Sequence, residues 1–133
     1  FDDRRVGPAP QLGGVRRGYA LRSPRLARKL RRAANGLVAI KACNQGFWRE
    51  DLLRANGFDE SLTGWGAEDK ELCARLEHAG VGRQTLLFAA LAWHLDHAPA
   101  SRARADLNRA RWRDTLQSRR VRCAAGIDGH PAA

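Results

Sequence analysis

Residues 64–80 read GWGAEDKELCARLEHAG, a glycine-rich loop that passes directly into a helical pattern. Small and apolar residues recur in this segment at three- and four-residue spacing, as on one face of a helix: Leu72, Cys73, Leu76 and Ala79. The spacing predicts a helix from about Ala67 to Ala79, ended by Gly80. The segment therefore predicts a loop that holds a tryptophan beside the first turn of a packed helix.

Two adjacent carboxylates, Glu68 and Asp69, stand at the start of this helix. Backbone N–H groups and the helix dipole stabilise negative charge at that position. Trp65 adds a flat apolar ring to which the C–H face of a sugar can adhere, and a carboxylate beside such a ring can accept the proton of a sugar hydroxyl. Acidic residues also begin many helices without any catalytic role, so the pair alone leaves both interpretations open.

An apolar run precedes the loop, since Leu37 to Ala42 (LVAIKA) has the composition of a short buried strand. Asn44-Gln45-Gly46 follows it, and short amides with a glycine at the end of a strand can approach a ligand closely. Alternatively, these residues form a turn without a binding role, and Phe47-Trp48 lies in the core. Arg49 to Ala55 (REDLLRA) predicts a helix closed by Asn56-Gly57.

Downstream, Thr85 to Leu95 (TLLFAALAWHL) is the most apolar stretch and predicts a second buried strand. His94 and His97 lie at its end. Two histidines alone are a weak metal signal, because a true site needs further ligands, and they can equally be ordinary strand-end residues. A charged helix is predicted from about Ser101 to Arg120, with three apolar residues available to dock it: Leu107, Trp112 and Leu116.

The ends of the chain have a different composition from the middle. Residues 1–36 predict a basic loop and helix connector, in which Ser23 to Ala34 (SPRLARKLRRAA) forms the helix with Ser23 as its N-cap. This helix is either a solvated connector or a segment that contacts a membrane surface or an acceptor. The composition predicts that residues 37–123 form the compact region and that residues 124–133 form a flexible tail.

The overall composition, with 44% hydrophobic residues in 133, is typical of a globular domain. The formal net charge of +10 favours anionic partners such as nucleic acid, acidic lipid headgroups or diphosphates. Three cysteines without C-x-x-C spacing argue against a zinc ribbon and favour reduced thiols. With no membrane-spanning run and no signal peptide, the sequence predicts a cytoplasmic location, with peripheral contact at the inner face of the cell membrane as a further option.

Three segments in this order carry a resemblance: Cys43 to Leu53 (CNQGFWREDLL), Asn56 to Glu60 (NGFDE) and Gly64 to Leu72 (GWGAEDKEL). Together they resemble the C-terminal galactosyltransferase-type region of family 2 glycosyltransferases, and are similar to animal β-1,4-galactosyltransferases and bacterial polysaccharide glycosyltransferases. The resemblance spans roughly residues 37–110. It implies an α/β GT-A fold, of which residues 37–123 would form the C-terminal catalytic region.

The resemblance implies inverting transfer of a hexosyl group from a nucleoside-diphosphate sugar, with a UDP-sugar favoured, to a glycan or glycolipid acceptor. The pathway it suggests is surface polysaccharide or lipopolysaccharide synthesis. Asp69 would be the catalytic base. The acceptor would be bound by Glu68, Trp65 and Gly66. The donor would be bound by Asn44, Gln45, Gly46 and Trp65. A divalent cation, Mn²⁺ or Mg²⁺, would be ligated by His97 or His94, and His97 fits better because Ser101, Arg102 and Asn108 follow it in the family's manner.

The chemistry of this transfer agrees with these roles. A single in-line displacement inverts the anomeric centre and needs one base for the attacking hydroxyl and a cation for the leaving diphosphate. Two departures from the family stand out. Ala67 occupies a position where many relatives carry glycine, and the metal-binding D-x-D element is absent, since Asp2-Asp3 are adjacent. The nucleotide-binding half is therefore predicted to lie upstream of Phe1.

Two alternatives belong to other classes of protein. The first is a non-catalytic remnant that keeps the fold without the activity. The second is an arginine-rich module that binds nucleic acid through residues 16–32 and 102–122, with an affinity that falls steeply with salt. The second alternative has little interleaved aromatic content and no recognised motif, so no specific nucleic-acid partner is expected.

Overall fold

The computed structural model describes residues 22–31, 40, 44–90, 98 and 100–130. Within these ranges the secondary structure is mainly helical, with a short 3-10 turn at Ile127–Gly129 and an isolated bridge residue at Gln84. The α-helices are α1 (Pro24–Leu30), α2 (Arg49–Ala55), α3 (Glu68–His78) and α4 (Ala105–Ser118). None of the described helices combines the length and the apolarity needed to cross a membrane.

The helix boundaries follow local signals in the sequence. Helix α2 has the predicted bounds and ends at Asn56, which is left-handed (φ 65°), while the Gly57 N–H donates to the Leu52 carbonyl at 2.8 Å. Helix α1 begins as predicted, since Ser23 Oγ accepts the Leu26 N–H at 3.3 Å. It ends at Leu30, earlier than predicted, because the next residue is already extended.

The predicted strand from Thr85 is wrong for the described part of that segment. Residues 87–89 form a turn in which the Ala89 N–H donates to the Leu86 carbonyl at 3.0 Å, and Phe88 has a φ of 62°. The predicted burial is not found there either, because Leu86 and Leu87 are 50% and 39% exposed. An apolar run does not by itself require an extended backbone. Residues 91–95 and the predicted strand at 37–42, apart from the buried Ile40, lie outside the described residues. The α/β GT-A fold stays a prediction.

Helix α3 lies at the centre of the packing. Ala55 of α2 joins Leu72 and Leu76 of α3 in a buried apolar cluster, against which three partly buried residues pack: Phe47, Leu52 and Val81. Every residue from 71 to 76 is buried, so the helix is covered on all sides rather than on one apolar face. Trp48, by contrast, is 81% exposed and not part of the core.

A fully buried ion pair joins α3 to its neighbours. Arg75 and Glu71 are both inaccessible to solvent, and Arg75 Nη2 lies 2.7 Å from Glu71 Oε2. The same guanidinium donates to the carbonyls of Ala55 and Gly57, the latter at 2.8 Å, at the C-terminal end of α2. Thr115 of α4 donates its hydroxyl to Glu71 Oε1 at 2.9 Å. One charged pair therefore ties three helices together.

Helix α4 is docked by polar side chains. Two of the three predicted anchors, Leu107 and Leu116, are wrong because both remain exposed, whereas Asn108 and Thr115 are fully buried. The third, Trp112, is partly buried, and Lys70 Nζ of α3 lies 5.3 Å from its ring centroid. Thr115 faces the carboxylate of Glu71, a buried charge that needs hydrogen-bond donors. An aliphatic residue in place of Thr115 would remove one hydrogen-bond donor from Glu71 Oε1.

The segment after α4 packs onto the end of α2, whereas composition predicts a flexible tail over residues 124–133. The Asn56 side chain donates to the Cys123 carbonyl at 3.1 Å and accepts the Asp128 N–H at 2.8 Å. Gly126 lies so close that an added Cβ would stand 1.9 Å from the Asn56 carbonyl oxygen. These contacts hold residues up to 130, and residues 131–133 lie outside the described part of the chain.

Candidate active site

The loop that leads into α3 has an unusual backbone. Gly64, Gly66 and Ala67 all have positive φ, at 80°, 106° and 73°. Glycine adopts this region without a steric penalty, whereas Cβ makes it unfavourable for alanine. The repeated left-handed conformation turns the chain sharply, so that Trp65 stands directly before the first turn of α3.

Replacing Ala67 with glycine is expected to raise the free energy of unfolding by about 0.5–1 kcal/mol. Relief of the left-handed strain, ~1–2 kcal/mol, exceeds the added unfolded-state entropy of glycine, ~0.4–1 kcal/mol. The matched control is Ala110→Gly in the exposed middle of α4, which should destabilise by about 1 kcal/mol. Urea unfolding of both variants measures whether each substitution raises or lowers the free energy of unfolding. Destabilisation by Ala67→Gly would contradict the proposed strain.

Helix α4 and the residues before it anchor the backbone of this loop. Asn108 Nδ2 donates to the carbonyls of Thr63, at 3.1 Å, and Trp65, at 3.4 Å. The Trp65 N–H donates to the Ser101 carbonyl at 3.2 Å. Because Asn108 is fully buried, its amide can hold the loop without competition from bulk water. The tryptophan is thus fixed from two sides.

The indole of Trp65 remains accessible although its backbone is fixed. The Arg102 guanidinium carbon lies 4.6 Å from the ring centroid, a distance at which cation and ring attract each other. The residue is nonetheless 44% exposed. An oriented and partly open ring is suited to stacking against the apolar face of a sugar.

The two carboxylates lie where the sequence predicts, in the first turn of α3, and both are half-buried. Asp69 Oδ1 accepts the Lys70 N–H at 2.7 Å, one of the backbone donors that a helix leaves unpaired at its start. Glu68 Oε2 is buried and accepts no hydrogen bond from residues 22–31, 44–90 or 100–130. This oxygen lacks a donor among the described residues, and a ligand hydroxyl would supply one if the atoms that cover the oxygen moved aside.

The predicted donor loop contacts the same helix. Gln45 Nε2 lies 3.7 Å from Cys73 Sγ, one helical turn after Asp69 and therefore on the same face of α3. Burial raises the pKa of the Cys73 thiol, and the Asp69 carboxylate raises it further, against the effects of the Arg83 guanidinium and of Gln45. Cys73 is therefore a neutral thiol between the two segments. Asn44 and Gly46 are exposed beside it.

The predicted metal ligands cannot be placed in this arrangement, since His94 and His97 lie outside the described residues. Within the described ranges, no group of three or more histidine, cysteine or acidic side chains is positioned to hold an ion. Of the cysteines, Cys73 and Cys123 are free and buried, as predicted, while Cys43 is not described. Burial also raises the pKa of Cys123.

Sequence reasoning missed the buried pair that supports this site. Glu71 and Arg75 are opposite charges four residues apart, a spacing that normally indicates a solvent-exposed helical pair. The signal that could have revealed them is their position on the helix, since each directly precedes a core leucine, Leu72 or Leu76. The anchoring role of Asn108 has no such signal, because it depends on the fold of residues distant in sequence.

Comparison with known proteins identifies the domain type. Residues 29–97, a little over half of the chain, match the family described as the N-terminal domain of galactosyltransferase. The chain belongs to this family. Neither a curated protein nor a solved structure matches it significantly.

The galactosyltransferase match covers both segments that meet on α3. It includes the loop at 44–46, the GWGAED turn at 64–69 and the two histidines that are not described. The family description refers to an N-terminal domain, whereas the resemblance predicted a C-terminal region. Glycosyl transfer is the general activity that this galactosyltransferase-type domain indicates. The chain's membership of family 2 glycosyltransferases and its similarity to bacterial polysaccharide glycosyltransferases stay predictions.

Proposed function

We propose that this chain supplies the acceptor-binding loop and the catalytic base of an inverting hexosyl transfer from a nucleoside-diphosphate sugar. The observation that carries the proposal is the arrangement at the start of α3. There an oriented, partly exposed indole precedes two half-buried carboxylates, one of which has an oxygen that receives no hydrogen bond from the part of the chain that the structure describes.

The proposed roles follow from this geometry. The apolar face of the acceptor sugar stacks on Trp65, and Glu68 accepts a hydrogen bond from one of its hydroxyls. Asp69 takes the proton of the attacking hydroxyl while the new bond to the anomeric carbon forms and the bond to the diphosphate breaks on the opposite face. Because a single displacement occurs, the configuration at that carbon inverts.

The donor side of the proposal rests on Asn44, Gln45 and Gly46, which lie near the Asp69 face of α3 through the contact of Gln45 with Cys73. A UDP-sugar is the favoured donor. A divalent cation, Mn²⁺ or Mg²⁺, would offset the charge of the leaving diphosphate, with His97 or His94 as the proposed ligand. A role in cytoplasmic synthesis of a surface polysaccharide or lipopolysaccharide belongs to the same proposal.

The nucleic-acid alternative is not favoured by the placement of the arginines. Many guanidinium groups in the second half of the chain bind carboxylates, hydroxyls or carbonyls of the protein itself: those of Arg75, Arg109, Arg111, Arg120 and Arg122. A phosphate backbone would have to compete with these contacts.

Acceptor binding gives a direct test. Ligand-observed NMR with free hexoses and N-acetylhexosamines is expected to detect binding to the wild-type chain. Trp65→Ala should weaken this binding about tenfold, roughly 1.4 kcal/mol, because the stacking surface is lost. Trp48→Ala removes another exposed tryptophan, outside the GWGAED turn, and should leave the affinity unchanged. Equal losses in the two variants, or no saccharide binding at all, would argue against the proposed acceptor site.

A further inference from the structure

Helix α1 presents a basic and apolar surface that the proposed active site does not use. It carries exposed basic side chains at Arg25, Arg28, Lys29 and, just after its end, Arg31. No ion pair joins any of these four side chains to an acidic residue in the described part of the chain. Their charge is therefore available to an external partner.

Two leucines add exposed apolar side chains to this basic surface. Leu26 and Leu30 are 37% and 39% exposed and lie four residues apart, so they form a stripe along one side of the helix. Arg25 and Lys29 have the same spacing and form the adjacent stripe. Ala27, which is buried, attaches the helix to the rest of the protein. Both stripes remain accessible while the helix is docked.

We infer that α1 is a docking surface for an anionic membrane, with the basic residues at the lipid headgroups and the leucines inserted at the boundary with the acyl chains. A basic stripe beside an apolar one is the arrangement of helices that lie in the membrane interface. Anionic headgroups attract each nearby lysine or arginine, worth about a fivefold gain in affinity per residue. Nucleic acid would match the charge but offers no environment for the leucine stripe.

The test is co-sedimentation of the chain with vesicles of phosphatidylcholine containing about 30% phosphatidylserine, compared with vesicles of phosphatidylcholine alone. Binding is expected only to the anionic vesicles. Arg25→Gln/Lys29→Gln should weaken it at least about tenfold. Leu26→Gln/Leu30→Gln, which changes no charge, should weaken it several-fold.

The control is Arg104→Gln/Arg113→Gln, which removes the same charge from exposed positions at the start and in the middle of α4 and should change binding by less than about twofold. Equal losses in the two arginine variants would show that the general positive field is responsible and would overturn the inference. It would also fail if the leucine variant bound normally, if neutral vesicles bound equally well, or if duplex DNA bound more tightly and its binding fell with the α1 variants.

Discussion

Replacing Arg75 with methionine is expected to lower the free energy of unfolding by about 3–5 kcal/mol. The guanidinium is fully buried, and it neutralises Glu71 while donating to the carbonyls of Ala55 and Gly57. Methionine fills a similar volume but removes the closer counter-ion of a buried carboxylate, which keeps only the Arg120 guanidinium, 3.7 Å from Glu71 Oε1. It also removes the guanidinium donor from the Ala55 and Gly57 carbonyls, of which Ala55 keeps the Cys123 N–H at 3.4 Å.

Two further variants separate the charge from the packing. Glu71→Leu/Arg75→Met removes both charges and should recover more than half of the lost stability, because no unpaired carboxylate remains. Arg109→Ala breaks an exposed pair with Asp106 and should cost no more than about 1 kcal/mol. Chemical denaturation measures the free energy of unfolding of all three variants. If the double variant were no more stable than Arg75→Met, the cause would be lost packing or the lost donors to the Ala55 and Gly57 carbonyls, and not the unpaired charge.

Asp69→Asn is expected to reduce sugar transfer by about 10²–10⁴-fold, measured with the full-length enzyme that contains this domain. The amide has nearly the shape of the carboxylate and can still accept the Lys70 N–H, so the helix start should be preserved. It cannot take the proton of the attacking hydroxyl. The loss should therefore appear in the turnover rate, with little change in acceptor affinity.

Asp106→Asn provides the matched control, because Asp106 also lies in the first turn of a helix but is 94% exposed on α4. Its effect on turnover should be within about twofold. Unchanged activity in Asp69→Asn would remove that residue from the base role. Absence of transfer by the wild-type enzyme with every donor would instead favour the non-catalytic remnant.

The sequence predicted the helices well because their signals are local. The position of α2 follows from Asn56-Gly57 at its end, and the start of α1 follows from Ser23 and the proline after it. The segment after Thr85 failed as a strand prediction, because an apolar run carries no information on backbone conformation. Its described part forms a turn whose Phe88 carbonyl accepts the Ser23 N–H at 3.0 Å.

The tertiary contacts were much less predictable. The exposure of Leu107 and the burial of Asn108 reverse what hydrophobicity indicates for neighbouring residues of one helix. The reason is that α4 packs against a loop whose carbonyl oxygens accept hydrogen bonds from Asn108 and against the carboxylate of Glu71, which accepts one from Thr115. Polar side chains therefore fit these positions better than apolar ones. Such complementarity appears only when the facing elements are known.

For the candidate site, the residue types and their order could be found in the sequence, but their support could not. The GWGAED motif directed attention to Trp65, Glu68 and Asp69, and the structure describes all of them at or before the start of α3. That Arg102 stacks on the indole is a contact between segments that no local pattern encodes. The roles of the three residues stay predictions.

The tether between Asn108 and the tryptophan loop has a consequence for defining the domain in the laboratory. The family match stops at residue 97, yet the loop inside it relies on the Ser101 carbonyl and on Asn108. The Asn56 turn likewise relies on the bends and the 3-10 turn after Cys123. An expression fragment cut at the family boundary would lose these partners, so the smallest autonomous piece should extend through residue 130.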